Sequence, residues 1–556
     1  MPWAGELFVR ALKREGVRNI FTLSGGHIAP IYDACYSEGI QIIDVRHEQV
    51  AAHGADGWAR VTGEPGVAVV TAGPGVTNSV SGVAEAFMAG SPMVVIAGRA
   101  PLKKFEMGAL QDLDQVRLME PITKWAKAVY EARRIPDYVR MAFRKARSGT
   151  PGPVYLECPI DILIQKVEED KSVFLSESHP TPEEAYGDPA SVRAAVELLT
   201  SAERPIIIAG DGLFWAKGDG ELRELVELLE IPVRSIGFAR GAVPEDHPLS
   251  FTLASMAEAD VVLILGVKLD YSLGYGWPPV FGSKAKIIQV DVDRSRIGFN
   301  REAAIGIVGS PRWVLKQMIE EAKKGKKRFQ NSAWLQQIRS LEKQAQEPTA
   351  EAYRAESLPI HPGRLAKEVV EFLDRDAIMI RDGADCTYWF TSILKARYMG
   401  QVIGTGAFGC LGAGTGFALA AKVARKERQV FLYYGDGTFG FNGMEFDTFV
   451  RHNLPILSVI SNDSAWGMVK HMHRMWYGED RIGGTVLKPG QRYEKVVEAL
   501  GGYGEYITRI EEIQPALRRA AGSGRPACIN VEVDPRPAHP VTMALDRHMG
   551  LLDLGK

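Results

Sequence analysis

The 556-residue chain has no CxxC pair, no excess of either charge and no apolar run long enough to cross a bilayer. Each absence closes a class of function. With 66 Lys and Arg against 68 Asp and Glu, no net field draws the chain to nucleic acid or to an anionic membrane. A spanning helix needs about 20 consecutive apolar residues, and none occurs. The five cysteines, Cys35, Cys158, Cys386, Cys410 and Cys528, are odd in number and scattered. They read as small buried apolar residues in a reducing compartment rather than as a disulfide framework. The opening stretch, Met1 to Glu6, lacks the charged and apolar regions of a secretory leader. A cytoplasmic location is the expectation.

What is present is a repeated grammar. Short β-branched runs alternate with Gly-rich turns and amphipathic segments, the pattern of parallel, doubly wound α/β sheets. At about 150 residues per domain the length allows three or four units. Strands are expected at 19–23, 41–45, 67–71, 93–97 and 154–158, then at 205–209, 232–235, 261–265 and 287–290, and finally at 377–381, 429–434, 456–460 and 527–533. These group into three open α/β domains, 1–170, 190–345 and 360–556. An acidic, Pro-containing stretch from Glu177 to Pro189 reads as one linker. A polar stretch from Ala322 to Pro359 closes the second unit, and its Lys323, Lys324, Lys326, Lys327, Arg328 run reads as solvated linker rather than as a basic arm.

The stretch from Gln429 to Gly467 carries the most chemistry. A doubly buried strand breaks at Gly435-Asp436-Gly437; a helical segment and Pro455 follow; a second buried strand ends at Ser461-Asn462-Asp463. A right-handed β-α-β crossover makes the two strands parallel and neighbouring. Asp436 and the Asn462/Asp463 pair then share one carboxyl edge. Side-chain oxygens, a backbone carbonyl and a ligand's phosphate oxygens there make an oxygen-only site suited to Mg²⁺. The glycines admit backbone N–H groups to the phosphates.

This Gly-Asp-Gly … Asn-Asp module resembles the signature of thiamine-diphosphate enzymes. The resemblance implies thiamine diphosphate and Mg²⁺, with Asp436, Asp463 and the Ala465 carbonyl as metal ligands. Gly435, Gly437, Thr438, Asn462, Gly467 and Met468 are implied cofactor contacts, as are Ala384 and Asp385. The family usually ends the module Asn-Asn, and Asp463 departs from it. Such a cofactor needs a carboxyl against its pyrimidine ring in order to lose its thiazolium proton. Arg46-His47-Glu48 resembles the block that supplies it, with Glu48 in that role. The run Gly404 to Gly412 is similar to the loop in which the Gly409 carbonyl holds the 4′-amino group and Leu411 props the cofactor bent. Thr71 to Asn78 resembles the pyrimidine-side turn, which brings in Pro74 and Asn78, and Gly26 falls in the facing loop. The three domains thereby become pyrimidine-binding, central Rossmann-like and diphosphate-binding. Because the family usually draws Glu48 and the diphosphate module from different subunits, a homodimer at least, commonly a tetramer, is implied.

Within the family the chain resembles the acetolactate-synthase-like group, and in several motifs benzaldehyde lyase. His27, in Ser24-Gly25-Gly26-His27, stands where acetolactate synthase has alanine and benzaldehyde lyase has histidine. A histidine there can exchange a proton with a substrate hydroxyl. Gln111 matches a glutamine that polarises the substrate carbonyl. Ser24, Leu110, Ile160, Met468 and Met472 are expected to shape the substrate pocket. Gly266 to Asp270 lacks the arginine pattern of acetolactate synthases. The implied activity is C–C lyase and carboligase chemistry on acyloins (2-hydroxyketones) and aldehydes. The rivals are a 2-hydroxyacyl-CoA lyase, with a nucleotide groove near Gly210–Gly212 and Asp291–Asp293, and acetolactate-synthase-type decarboxylation of a 2-keto acid. FAD or ADP in the central domain is not expected. The tail from Asp534, with His539, Met543, His548 and Met549, is read equally as a lid and as surface packing.

Overall fold

The computed structural model describes residues 1–168, 185–251, 256–325 and 332–549, with side chains to residue 544. Most of the Glu177 stretch, Lys326, Lys327, Arg328 and the side chains of His548 and Met549 lie outside the described residues.

Three sheets, every pairing parallel, form the frame. The first contains β1 (Asn19–Thr22), β2 (Gln41–Asp44), β3 (Gly66–Val70), β4 (Met93–Arg99), β5 (Ala126–Ala128) and β6 (Pro153–Pro159), in the order β2-β1-β3-β4-β6-β5. The second contains β7 (Pro205–Ala209), β8 (Val233–Ser235), β9 (Val261–Leu265), β10 (Lys286–Asp291) and β11 (Ile305–Val308), in the order β11-β10-β9-β7-β8. The third contains β12 (Ile378–Asp382), β13 (Val402–Gly404), β14 (Val430–Gly435), β15 (Leu457–Asn462), β16 (Tyr503–Ile507) and β17 (Ala527–Glu532), in the order β13-β12-β14-β15-β17-β16. Central strands such as β3, β4 and β9 are buried along their whole length, as helices on both faces require.

The first and third domains pack so closely that they share one core, in which Phe21 and Val50 join Phe417 and Leu432. Helix Glu48–Thr62 crosses helix Ala413–Ala424. A Cβ on Gly416 would stand 2.5 Å from the His53 Cβ, and one on Gly57 would stand 2.8 Å from the Phe417 Cα. Glycine at both positions is what permits the crossing. At its end Arg60, fully buried, donates to Asp56 (2.8 and 2.5 Å), to Glu85 (3.2 Å) and to the Gly404 carbonyl (2.6 Å).

The polar stretch after Ala322 is not a linker throughout. Lys323 and Lys324 end helix Pro311–Lys324 and pair with Glu224 and Glu321. Helix Ser332–Ala350 then packs Trp334 and Ile338, one turn apart, into the core of the central domain. The indole of Trp334 donates to the Pro205 carbonyl at 2.9 Å.

Candidate functional site

The β14–β15 register sets Gly435 beside Ser461, so Asp436 and Asp463 leave neighbouring strand ends. Asp436 is 1% exposed, and neither of its carboxylate oxygens has a hydrogen-bond partner. Burial pushes both carboxyls above the ordinary range, and for Asp463 the charge of Asp436 adds to the push. The Asp436 carboxylate, facing that of Asp463, fits a cation between the two. The Asn462 amide is engaged elsewhere: it donates to Asn530 (3.0 Å) and accepts from the Ser464 N–H (3.1 Å). That turn sends the chain through a left-handed residue, Ser464 (φ 53°), towards Ala465, whose carbonyl can complete the donor set. No cluster of three or more His, Cys, Asp or Glu side chains among the described residues suits a metal. Backbone and ligand oxygens could supply the remaining donors, as they do in Mg²⁺–phosphate sites.

Around this pair opens a cavity of ≈ 920 Å³ between the carboxyl ends of the second and third sheets, where open α/β sheets take their ligands. Its walls include Ala384, Asp385, Gly409, Leu411, Gly435, Gly437, Thr438, Asp463, Ala465, Gly467 and Met468. Close packing explains two of the glycines: a Cβ on Gly437 would meet the Trp466 ring at 2.8 Å, and one on Gly467 would meet Asp463 Oδ2 at 2.5 Å. The same cavity runs on to Gly210, Gly212 and Asp291 at the edge of the central sheet. Asp385 has an additional duty. Its carboxylate accepts from the His539 N–H (2.9 Å) and the Thr542 hydroxyl (2.6 Å). The C-terminal helix Pro540–Met549 is thereby docked beside the cavity, with Val541 and Ala544 in its wall. Met472 is a buried residue of helix Gly467–Tyr477 and does not belong to that wall.

The first-domain residues gather separately. Glu48 is 6% exposed at the start of its helix and accepts from the Asn78 amide at 3.0 Å. Pro74 and Asn78 lie on helix Pro74–Ala89, whose N-cap Gly73 has φ 60° and approaches Gln111 so closely that a Cβ would stand 2.9 Å from it. His27 sits in the short turn Gly26–Ile28, pressed on Gly98. Burial lowers its pKa below 6.5, and a hydrogen bond with Gln111 opposes the shift. Its Nδ1 is buried without a partner. The imidazole is thus neutral near pH 7 and adjoins a side-chain amide. Ser24 and Gly26 are nearby, Leu110 is 79% exposed, and Ile160 opens a short helix after β6. None of Glu48, His27 and Gln111 belongs to the cavity wall. The chain thus presents two half-sites.

Sequence reasoning missed Glu85. Fully buried, it accepts from the N–H groups of Gly406 (2.9 Å) and Cys410 (3.2 Å), and so fixes the loop that carries Gly409 and Leu411. No motif surrounds it. Arg381 and Tyr271 of the cavity wall were also missed, although Arg381 ends an expected strand at the edge where ligands bind.

Comparison with known proteins agrees with this geometry. Family models described as thiamine pyrophosphate enzyme N-terminal TPP binding domain, central domain and C-terminal TPP binding domain match residues 2–118, 192–318 and 382–531. The chain is 40% identical over 543 residues to a probable acetolactate synthase of Mycobacterium bovis, covering 97% of each protein. It is 34% identical over 579 residues to 2-hydroxyacyl-CoA lyase 2 of Bos taurus, covering 95% of this chain and 89% of that one. A probable acetolactate synthase large subunit of Methanococcus aeolicus is 31% identical over 565 residues, with 96% and 92% covered. Three parallel-sheet domains carry the matches in the order the models require, and the chain belongs to the thiamine-pyrophosphate enzyme family, in its acetolactate-synthase-like group.

Proposed function

We propose that the chain is a thiamine-diphosphate- and Mg²⁺-dependent lyase and carboligase that breaks and forms the C–C bond of acyloins, with aldehydes as products and co-substrates. The observation that carries this reading is His27: a neutral, half-buried imidazole beside Gln111, in the domain that holds Glu48. The motif likeness to benzaldehyde lyase points the same way. Cleavage next to a carbonyl requires the neighbouring hydroxyl to lose its proton, and a neutral imidazole takes it. Gln111 donates to the carbonyl oxygen. Glu48, oriented by Asn78, holds the carboxyl that the pyrimidine ring needs. Asp436, Asp463 and the Ala465 carbonyl would hold Mg²⁺, and Gly409 and Leu411 would hold the cofactor's bend. When bound, thiamine diphosphate supplies the nucleophilic carbon and the electron sink.

The separation of the half-sites supports a homo-oligomer in which Glu48, His27 and Gln111 of one copy face the diphosphate module of another. All five cysteines are free, in keeping with a reducing, cytoplasmic setting. No helix among the described residues is long and apolar enough to cross a membrane.

A second reading, 2-hydroxyacyl-CoA lyase, is favoured by one feature: the cavity continues past the diphosphate module to Gly210, Gly212 and Asp291. The name of the bovine relative accords with it. One panel of acetoin and benzoin cleavage, a 2-hydroxyacyl-CoA and pyruvate, run with thiamine diphosphate and Mg²⁺, decides. Acyloin cleavage abolished in His27→Ala supports the first reading. Turnover of the thioester alone replaces it with the second, and acetolactate from pyruvate alone refutes both.

A further inference from the structure

We propose that Arg381, with Tyr271 and Tyr388, forms an oxyanion-binding subsite in the cavity wall, which takes a carboxylate or phosphate of the molecule undergoing reaction or of its carrier. The inference rests on that cavity being where the thiamine chemistry occurs. Arg381 stands near the carboxyl end of β12, and all three side chains line the cavity, Tyr271 from the central domain and the other two from the third. The guanidinium has neither a hydrogen bond nor an ion pair among the described residues. Its surroundings make room for it: a Cβ on Gly404 would stand 2.6 Å from the Arg381 Cγ and 2.8 Å from its Nε.

No neighbour neutralises the charge. Arg240, the other cation acting on it, is already paired with Glu245 through two 2.8 Å hydrogen bonds. Asp382, next in the chain, accepts from the Gly414 N–H at 2.6 Å and is pushed by burial up to about 7. Asp270, beside Tyr271, caps Ser272 through its N–H and hydroxyl. Burial raises both phenols above the ordinary tyrosine value, so each presents a neutral O–H. An unpaired, largely buried guanidinium is costly unless a ligand completes it. A planar fork of donors that shares a cavity wall with two phenol hydroxyls suits a carboxylate or a phosphate.

Calorimetric titration of the thiamine-diphosphate- and Mg²⁺-loaded protein tests this with two probes, oxamate for a carboxylate and ADP for a phosphate. In Arg381→Met, at least one probe is expected to bind about tenfold or more weaker, the scale of removing one charge-assisted hydrogen bond. Arg381→Lys recovers part of that affinity. The probe that weakens identifies the source of the anion. Tyr271→Phe, which removes one hydroxyl, weakens the same probe by a smaller factor and carries the test if Arg381→Met does not fold. Both probes within about twofold of the parent in Arg381→Met, or no binding of either to the parent, overturns the proposal. Binding is read without turnover, so failure of the acyloin assays leaves this result independent.

Discussion

Glu85 offers the sharpest test of how the cofactor loop is held, because it touches the loop without belonging to the site. Its carboxylate is fully buried and serves Gly406 N–H, Cys410 N–H and Arg60. Glu85→Ala removes the charged acceptor of two part-buried loop N–H groups, a hydrogen bond to a charged group being worth about 1.5–3 kcal/mol. Arg60 keeps Asp56 and the Gly404 carbonyl, so its share of the destabilisation is the smaller one. A total of about 3–5 kcal/mol follows, the scale of a buried partner removed. For a domain of this size that lowers Tm by roughly 6–20 °C. Glu85→Gln keeps one acceptor but turns an NH₂ towards the other donor, and should cost about half as much. Thiamine diphosphate affinity falls with the loop's order, by about tenfold for each 1.4 kcal/mol transmitted. The pH dependence has a definite sign. Burial works to raise the Glu85 pKa, but Arg60 and the two loop amides hold it below 4.5. Its stabilisation is therefore complete above pH 4.5 and fades as pH falls through the lowered value. Differential scanning calorimetry at pH 7 and pH 4, with cofactor titration by fluorescence, reads all of this. A Glu85→Ala protein that melts within about 2 °C of the parent and binds cofactor equally well would refute the reasoning.

Three further outcomes are expected. His27→Ala lowers acyloin cleavage by about 10²–10⁴-fold, the usual worth of a general base, while thiamine diphosphate binding is unchanged. In the parent, burial places the imidazole pKa below 6.5, so kcat/KM should stay flat down to that pH and fall beneath it; a limb centred above 6.5 contradicts the assignment. Asp436→Asn removes the deeper carboxylate and should abolish the Mg²⁺-dependent stabilisation by thiamine diphosphate, about 2.7 kcal/mol at a hundredfold excess over Kd. Asp463→Asn should only reduce that gain, and thermal melts with and without EDTA separate the two. Gly416→Ala drives a methyl to 2.5 Å from the His53 Cβ, and denaturant unfolding should report a destabilisation of about 1–3 kcal/mol.

Legibility followed burial. Every strand that the apolar pattern missed, β5, β11, β13 and β16, lies at the edge of its sheet. An edge strand pairs on one side only, so it can be as short as Ala126–Ala128 or Val402–Gly404, or as polar as Tyr503–Ile507. The central strands had no such freedom and announced themselves. Helix Ser332–Ala350 was hidden for a related reason: it buries little besides Trp334, Ile338 and Thr349, too few to stand out from its polar face. The Gly435–Gly437 and Asn462–Asp463 pairing was legible because the β-α-β crossover dictates register, and the register is as expected. Glu85 and Arg381 were not legible. A single charged residue in an apolar helix, or at a strand end, carries no spacing, and its partners lie more than 300 residues away in one case and in another domain in the other.

The hydrogen bonds across the first and third domains have a reciprocal logic. The third domain's cofactor loop is anchored by Glu85 of the first domain. The segment leading into Glu48 is anchored by Glu445 of the third, which accepts from the Arg46 N–H at 2.9 Å and from Thr448 at 2.7 Å. Burial raises Glu445 to about 7, as expected for a carboxyl placed to hold backbone rather than to balance charge. Each half-site therefore takes its shape from the domain that packs behind it, through one buried carboxyl in each direction. Helices that cross at close-packed glycines leave little play between them, so the two domains of one chain must move as one body. Neither Glu48 nor the diphosphate module can then approach the other by flexing within the chain. In the proposed homo-oligomer, the rigidity that keeps one chain's half-sites apart is what would align His27, Gln111 and Glu48 of one copy with Asp436 and Asp463 of the other.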